Sequence, residues 1–298
     1  MDQSSVATPT NEAPAALLKN LLVAYDSSEA AETALQYAIS IAQIFGSFIT
    51  VVSAKSPSEL ADEMEAGFGR RKEAQRQLTE DLQLIADRLN GYGIPNRVLR
   101  RAGAIADVLV QVAAVYEAEL LFLGAYGHRK MDHPRLGSTA EFMLRSMPCA
   151  VMTVGPGAIL HKPDVPPLRT LLCASSLPAR MGRARRILQT LADKLGTRVE
   201  ILHVIDDQSG AIDARTSEQM RAAEEAVTTE LQQAGVHATW KLVSGPMGIR
   251  IVERSREIHA DLIIFGVEHV PPKPDSIGPI STAIWQAQCP VVTVPGAL

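Results

Sequence analysis

Three glycines and two hydroxyl side chains stand at a spacing that suits phosphate binding. The glycines are Gly124, Gly127 and Gly137, and the last is followed by Ser138 and Thr139. Because glycine has no Cβ, backbone amides in such a segment can approach a polyphosphate closely. A helix that begins at Ser138 would add free N–H groups and a favourable dipole. The pattern predicts a phosphate-binding loop between a strand and a helix.

The same loop contains charged and imidazole side chains. Arg129 and Lys130 are candidates for the counter-charge of a phosphate group, and His128 and His133 are interpreted as solvated or phosphate-contacting residues rather than general bases. The chain has no Gly-x4-Gly-Lys-Ser/Thr motif, so the loop is not a P-loop. From the residues alone, a second interpretation stays open, in which the glycines serve only tight turns.

Asp26 is the second candidate, at the end of the first predicted strand and before Ser27 and Ser28. In a doubly wound sheet the first and fourth strands end side by side, so Asp26 is expected to face the crevice at Gly124. A carboxylate there would bond a ribose hydroxyl or an adenine edge. The alternative is that Asp26 caps the following helix, and the two roles are compatible.

The elements that must position these residues alternate between strand and helix. Apolar runs bounded by turn residues predict the strands of the first half, with a helical period of about 3.6 between several of them. Alternation of this kind is typical of a parallel sheet with helices on both faces. The predicted strands are Leu21–Tyr25, Phe48–Ser53, Arg97–Arg101, Leu120–Leu123 and Ala150–Val154.

The pattern then repeats. Three segments of the first half recur in the second half in the same order. Residues 21–24 match 171–174, residues 118–124 match 260–266, and residues 150–154 match 290–294. Such a repeat predicts an α/β protein of two doubly wound domains, each a five-stranded parallel sheet flanked by helices. We predict a disordered tail at 1–17, a first domain at 18–155, a linker at 156–167 and a second domain at 168–298.

Composition narrows the class of protein. A formal net charge of -4 gives no broad basic surface, so neither nucleic acid nor a membrane is expected as a partner. No apolar run reaches the length of a membrane span, and the N-terminal residues lack the pattern of a signal peptide. The three cysteines fall in apolar stretches without metal-ligand spacing, which indicates buried thiols in a reducing compartment and a cytoplasmic location. No dedicated metal cluster is visible.

The chain resembles the tandem universal stress proteins over nearly all of residues 18–295. ATP-binding members of that family carry Gly-x2-Gly-x9-Gly-Ser/Thr after the fourth strand, and Gly124, Gly127, Gly137 and Ser138 match it at every position. The first-strand aspartate of the family matches Asp26. The resemblance implies a Rossmann-like fold and an ATP site in the first domain, with Mg²⁺ as an open addition.

By that resemblance, residues at the ends of the first two strands would frame adenine and ribose, and the loop would hold the phosphates. The implied binding residues are Ala24, Tyr25, Asp26, Ala54, Gly124, Gly127, His128, Arg129, Gly137, Ser138 and Thr139. No residue is assigned a catalytic role. The family pairs its fifth strands antiparallel in dimers, so these strands would pair within this chain or with a second copy. A homodimer is expected.

The second domain departs from the pattern at each key position. A serine near position 176 stands in place of Asp26, His269 replaces Gly127, and residues 271–274 bring three prolines into the loop before Gly278. Proline lacks the amide that would cradle a phosphate, and its fixed φ resists wrapping. We predict weak or no nucleotide binding in this half. Trp240 and Trp285 are expected to pack within it.

These observations predict an ATP-binding protein that acts as a stress-response sensor or regulator, with adenine nucleotide and regulatory proteins as partners. At most, slow ATP hydrolysis is expected. The alternative is a dimeric interaction scaffold that does not depend on nucleotide. The sequence leaves open which stress and which protein partner are involved.

Overall fold

The structure is a computed structural model that describes residues 18–55, 68–127, 136–146, 149–160, 168–174, 182–205, 214–267 and 278–295. Within these ranges strands and helices alternate along the chain, as the apolar pattern predicts. None of the helices in them is long and apolar enough to cross a membrane. The predicted disordered tail at residues 1–17 lies outside the described residues.

The first half builds five strands and the helices between them. The strands are β1 (Asn20–Ala24), β2 (Phe48–Lys55), β3 (Asn96–Ala102), β4 (Leu120–Gly124) and β5 (Ala150–Val154). The helices are α1 (Glu29–Phe45), α2 (Phe68–Gly91), α3 (Ile105–Val115) and α4 (Ser138–Ser146). Helix α1 ends because Gly46 adopts φ 65°, a left-handed conformation that favours glycine.

The strand order of this half is β3-β2-β1-β4-β5, with all neighbours parallel. The chain builds outward from β1 to β3 and then returns to place β4 on the other side of β1. The strand order therefore reverses between β1 and β4. In sheets of this kind, the crevice beyond the carboxyl ends of two such strands is where ligands bind.

The second half repeats this plan after a short helix, α5 (Pro156–Leu160). Its strands are β6 (Thr170–Ala174), β7 (Arg198–Ile205), β8 (His237–Ser244), β9 (Leu262–Val267) and β10 (Val291–Pro295). Its helices are α6 (Gly182–Leu195), α7 (Ala214–Gln233), α8 (Met247–Glu257) and α9 (Gly278–Gln286). The strand order β10-β9-β6-β7-β8 matches that of the first half.

The two halves share one ten-stranded sheet, because β5 pairs antiparallel with β10. Met152 lies opposite Val292, with Thr153 opposite Val291. The sequence left open whether the fifth strands pair within the chain or with a second copy, and they pair within it. The predicted fold class, two repeated doubly wound domains with parallel five-stranded sheets, is confirmed.

Helices cover both faces of the sheet and create two continuous cores. Successive residues of a strand point to opposite faces, so Leu21 and Val23 enter one core while Leu22 and Ala24 enter the other. Both cores contain residues from the two halves. The domains are therefore joined by packing as well as by strand pairing.

The predicted linker at residues 156–167 begins with α5, which the sequence analysis did not anticipate. Its Ala158 and Ile159 are buried. Five residues are too few to show a helical period, and a proline in the first turn reads equally well as a loop. A Cβ on Gly155 would overlap the carbonyl oxygen of Ile284. The exit from β5 thus packs directly against α9.

Candidate functional site

Asp26 and Gly127 meet beyond the carboxyl ends of β1 and β4. The two strands pair through Val23 and Phe122, which brings the segments that follow them side by side. A Cβ built on Gly127 would lie 2.5 Å from Asp26 Oδ2, much closer than an ordinary contact. Glycine at this position is therefore what allows the Asp26 carboxylate to lie against the loop.

The turn after β1 fixes the direction of the Asp26 side chain. Its Oδ1 accepts a hydrogen bond from the Ser28 amide (3.0 Å), while Ser28 Oγ accepts from the Ala31 amide (3.2 Å). The N-cap of α1 is Ser28 and not Asp26, which corrects the capping alternative considered for Asp26. Ser27, between them, adopts φ 65°, a left-handed conformation that costs a non-glycine residue energy.

Ala125 joins both ends of the glycine loop to the sheet. Its amide donates to Val154 O (2.9 Å), and its carbonyl accepts from the Gly137 amide (2.8 Å). At the start of the loop, a Cβ on Gly124 would lie 2.6 Å from Ala30 Cβ in α1. Glycine at 124 is thus required by the close packing of α1.

The start of α4 faces the same crevice. The Glu141 amide donates to Gly137 O (2.9 Å). The amides of residues 138–140 therefore precede the helical hydrogen bonds, and they point outward together with the positive end of the helix dipole. Ser138 is exposed and Thr139 is half-buried. This arrangement offers backbone and hydroxyl donors to an anionic group.

Tyr25 turns its side chain away from the crevice. Its ring is buried, and its hydroxyl donates to Glu32 Oε2 (3.3 Å). Arg88 Nη1 from α2 donates to Glu32 Oε1 (2.6 Å). Burial and then the nearby Glu32 carboxylate raise the pKa of Tyr25 to about 12. The Tyr25 amide donates to Val52 O (2.8 Å), so its ring stabilises the turn and only its backbone borders the crevice.

Most of the predicted binding residues gather at the ends of β1 and β4. Ala54 lies one strand further along the same edge of the sheet, where it pairs with Arg101 of β3. His128 and Arg129 lie outside the described residues. In the ranges that the structure describes, no group of three or more His, Cys, Asp or Glu side chains is arranged to hold a metal ion.

Comparison with known proteins now identifies the family. The sequence profile of the universal stress protein family matches residues 18–155 and again residues 168–295. The chain belongs to the universal stress protein family. A curated relative, described as the universal stress protein in the QAH/OAS sulfhydrylase 3' region of Thermus aquaticus, is 28% identical over 139 residues. That match covers 46% of this chain and 99% of the relative.

Two solved structures are similar to the whole tandem chain. A universal stress protein from Archaeoglobus fulgidus DSM 4304 superposes with a TM-score of 0.68 at 19% identity, covering 93% of this chain and 98% of that one. A protein of unknown function from Pseudomonas aeruginosa PAO1 gives a TM-score of 0.62 at 13% identity, covering 94% and 93%. These similarities show the fold of both domains.

The second universal stress protein domain differs from the first at two described positions. Gly278 begins α9 where Ser138 begins α4, so the first three residues of α9 carry no hydroxyl. A Cβ on Gly266 would lie 3.9 Å from Ala184 Cβ, which is an ordinary contact. A Cβ on Gly124 would instead clash with Ala30 Cβ at 2.6 Å. The predicted departures at Ser176, His269 and Pro271–Pro274 lie outside the described residues. Weak or absent binding in this half stays a prediction.

One contact at the site was not foreseen. Tyr126, between Ala125 and Gly127, stacks on Trp285 of α9, with ring centroids 5.6 Å apart and planes at 10°. From the sequence, Trp285 was expected to pack within the second domain, but its ring stacks on Tyr126 of the first. Nothing local to either residue indicates a partner so distant in sequence, because the contact depends on the β5–β10 pairing.

Proposed function

We propose that this universal stress protein binds ATP in the crevice of its first domain and acts as a nucleotide-dependent regulator in the stress response. The observation that carries the proposal is the close approach of Gly127 to the Asp26 carboxylate. The Asp26 carboxylate, which suits ribose hydroxyls, therefore lies beside the Gly127 backbone, which carries no side chain. The start of α4 faces both residues. Together these groups suit a sugar followed by phosphates.

Within this proposal, adenine and ribose would lie against the backbone of Ala24 and Tyr25, the Asp26 carboxylate and Ala54. The phosphates would lie along the loop and the start of α4, held by Gly124, Gly127, His128, Arg129, Gly137, Ser138 and Thr139. A bound Mg²⁺ would take its ligands from the phosphates and from either Asp26 or water, since oxygen ligands suit that ion.

The choice of ATP among adenine nucleotides rests on the length of the glycine loop. Solved universal stress proteins include one in complex with cAMP and one in complex with dAMP. Their TM-scores against this chain are 0.36 and 0.35, so they give no weight to one nucleotide over another. A loop with three glycines and a helix start offers donors enough for more than one phosphate.

We further propose a cytoplasmic protein with a nucleotide-binding domain at 18–155, a linker at 156–167, and a second domain at 168–298 that binds nucleotide weakly or not at all. The expected stoichiometry is one nucleotide per chain. A homodimer of this chain would use a surface other than the edge of β5, because β10 already occupies that edge.

The test is isothermal titration of ATP, with and without Mg²⁺, into ligand-free protein and a Gly127→Ala, Ser138→Ala double variant. We expect one equivalent to bind the wild type and the variant to lose it. The matched control is Gly91→Ala, because a Cβ there meets nothing within 4 Å. A folded wild type that binds no adenine nucleotide would overturn the proposal and favour the nucleotide-independent scaffold.

A further inference from the structure

The stack between Tyr126 and Trp285 connects the candidate site of one domain to a helix of the other. Tyr126 directly precedes Gly127, whose close approach to Asp26 defines the crevice. Trp285 lies near the end of α9 in the second domain. The two rings are nearly parallel, at 10°, with centroids 5.6 Å apart. A residue of the second domain therefore contacts the loop of the first.

The stack acts at the start of the loop, where Tyr126 also packs against both hydrophobic cores. Ala125 is bonded through its amide to Val154 O and through its carbonyl to the Gly137 amide. Tyr126 is the next residue, so contacts that fix its ring also restrict the backbone that leads to Gly127. The burial that raises the pKa of the Tyr126 hydroxyl agrees with a ring packed against the protein rather than in water.

The helix that carries Trp285 is itself fixed against the first domain. A Cβ on Gly155 would overlap Ile284 O, and one on Gly157 would overlap Ala287 O, so the backbone of α9 and the residue after it touch the chain leaving β5. Ile284 and Ala287 are buried. Trp285 lies between these two residues in the sequence, so the backbone that carries its ring is held against the first domain.

The residue that corresponds to Trp285 in the first domain is not aromatic. Aligning Cys289-Pro290-Val291 with Cys149-Ala150-Val151 places Arg145 of α4 at the position of Trp285. The first domain thus has no aromatic ring at the position that corresponds to Trp285, and Arg145 there pairs with Glu141 of its own helix (3.1 Å). Trp285 Nε1 is buried with no hydrogen-bond partner among the described residues, so the ring contributes through its faces.

We propose that Trp285 is a positioning residue for the nucleotide site of the first domain, and that the second domain serves to hold the phosphate loop of its neighbour. This rests on the proposed nucleotide binding. If the stack favours the binding-competent loop, then a bound nucleotide strengthens the stack by the same factor, because coupling between two sites is reciprocal. Nucleotide binding in the first domain would then strengthen the contact that α9 makes through Trp285.

The experiment compares ATP with adenosine, which has no phosphate, by titration into the full chain. We expect Trp285→Leu to weaken ATP binding about three- to tenfold, the range that an aromatic pair supports, and to leave adenosine unchanged. Trp285→Phe keeps a stacking ring and is expected to stay within about twofold of the wild type. Tyr126→Leu should match Trp285→Leu, and the double variant should lose no more than either.

The control is Trp240→Leu, which removes the other tryptophan of the second domain, one that stacks on His203 instead. A folded Trp285→Leu protein that binds ATP like the wild type would overturn the proposal while leaving nucleotide binding intact. Equal losses for ATP and adenosine, or for Trp285→Leu and Trp240→Leu, would also overturn it. Should Trp285→Leu fail to fold, Tyr126→Leu decides by the same criteria. Failure of the wild type to bind either ligand would instead remove the proposed function, and this inference with it.

Discussion

Adding one methyl group at Gly127 is expected to weaken ATP binding without unfolding the protein. The new Cβ would lie 2.5 Å from Asp26 Oδ2, whereas ordinary contacts begin at 3.4 Å, so the carboxylate must move by about 1 Å. A hydrogen bond to a charged group contributes about 1.5–3 kcal/mol. Losing one between Asp26 and the ribose corresponds to about a tenfold to hundredfold rise in Kd.

Titration calorimetry on Gly127→Ala, Asp26→Ala and the double variant provides the measurement. Because the clash is with the carboxylate, the Gly127→Ala change should cost almost nothing further once Asp26 is alanine. The thermal midpoint of Gly127→Ala should stay close to that of Gly91→Ala, where the added Cβ meets nothing. Fully additive losses, or an unchanged Kd for Gly127→Ala, would refute this account of how Gly127 and Asp26 depend on each other.

Three further predictions concern stability. Gly124→Ala should lower the free energy of unfolding by about 1–3 kcal/mol in urea titrations, because its Cβ meets Ala30 Cβ at 2.6 Å; a wild-type midpoint would contradict this. Ser27→Gly should raise the free energy of unfolding by about 0.5–1 kcal/mol. Relieving the left-handed φ of 65° stabilises the folded protein by more than the extra entropy of glycine stabilises the unfolded chain, and a decrease in thermal midpoint would contradict this. Burial raises the pKa of the Cys173 and Cys289 thiols to about 12, so the unfolded chain loses these protons first as the pH rises. Stability should therefore be unaffected by these thiols below about pH 9 and fall between about pH 9 and 12, and Cys173→Ala should reduce that slope by about 1.4 kcal/mol per pH unit; equal slopes would exclude the thiol as a cause.

Local patterns in the sequence predicted the elements and the position of Asp26 beside the glycine loop. The strand at Ala150–Val154 and the helix beginning at Ser138 have the bounds that the sequence indicated. The position of Asp26 beside the loop followed from the strand order, because β1 and β4 are neighbours in any sheet that reverses direction there. A short-range pattern joined to one topological rule was enough for these features.

Contacts between the halves were beyond such reasoning. Helix α5 has too few residues for a period, and its fit depends on the carbonyl oxygens of α9 that approach Gly155 and Gly157. The Tyr126–Trp285 stack likewise joins residues far apart in sequence. Each depends on the relative placement of whole elements, which no local run of residues encodes.

The pairing of β5 with β10 also separates this chain from an assembly of two single domains. Two separate chains come apart when they are diluted, whereas two domains on one chain meet at an effective concentration set by the linker, on the order of millimolar. Any response that passes through the β5–β10 seam would therefore be the same in a cell with few copies as in one with many. Because both halves stay on one chain, the sequence of one half can change while the other keeps the site proposed for it.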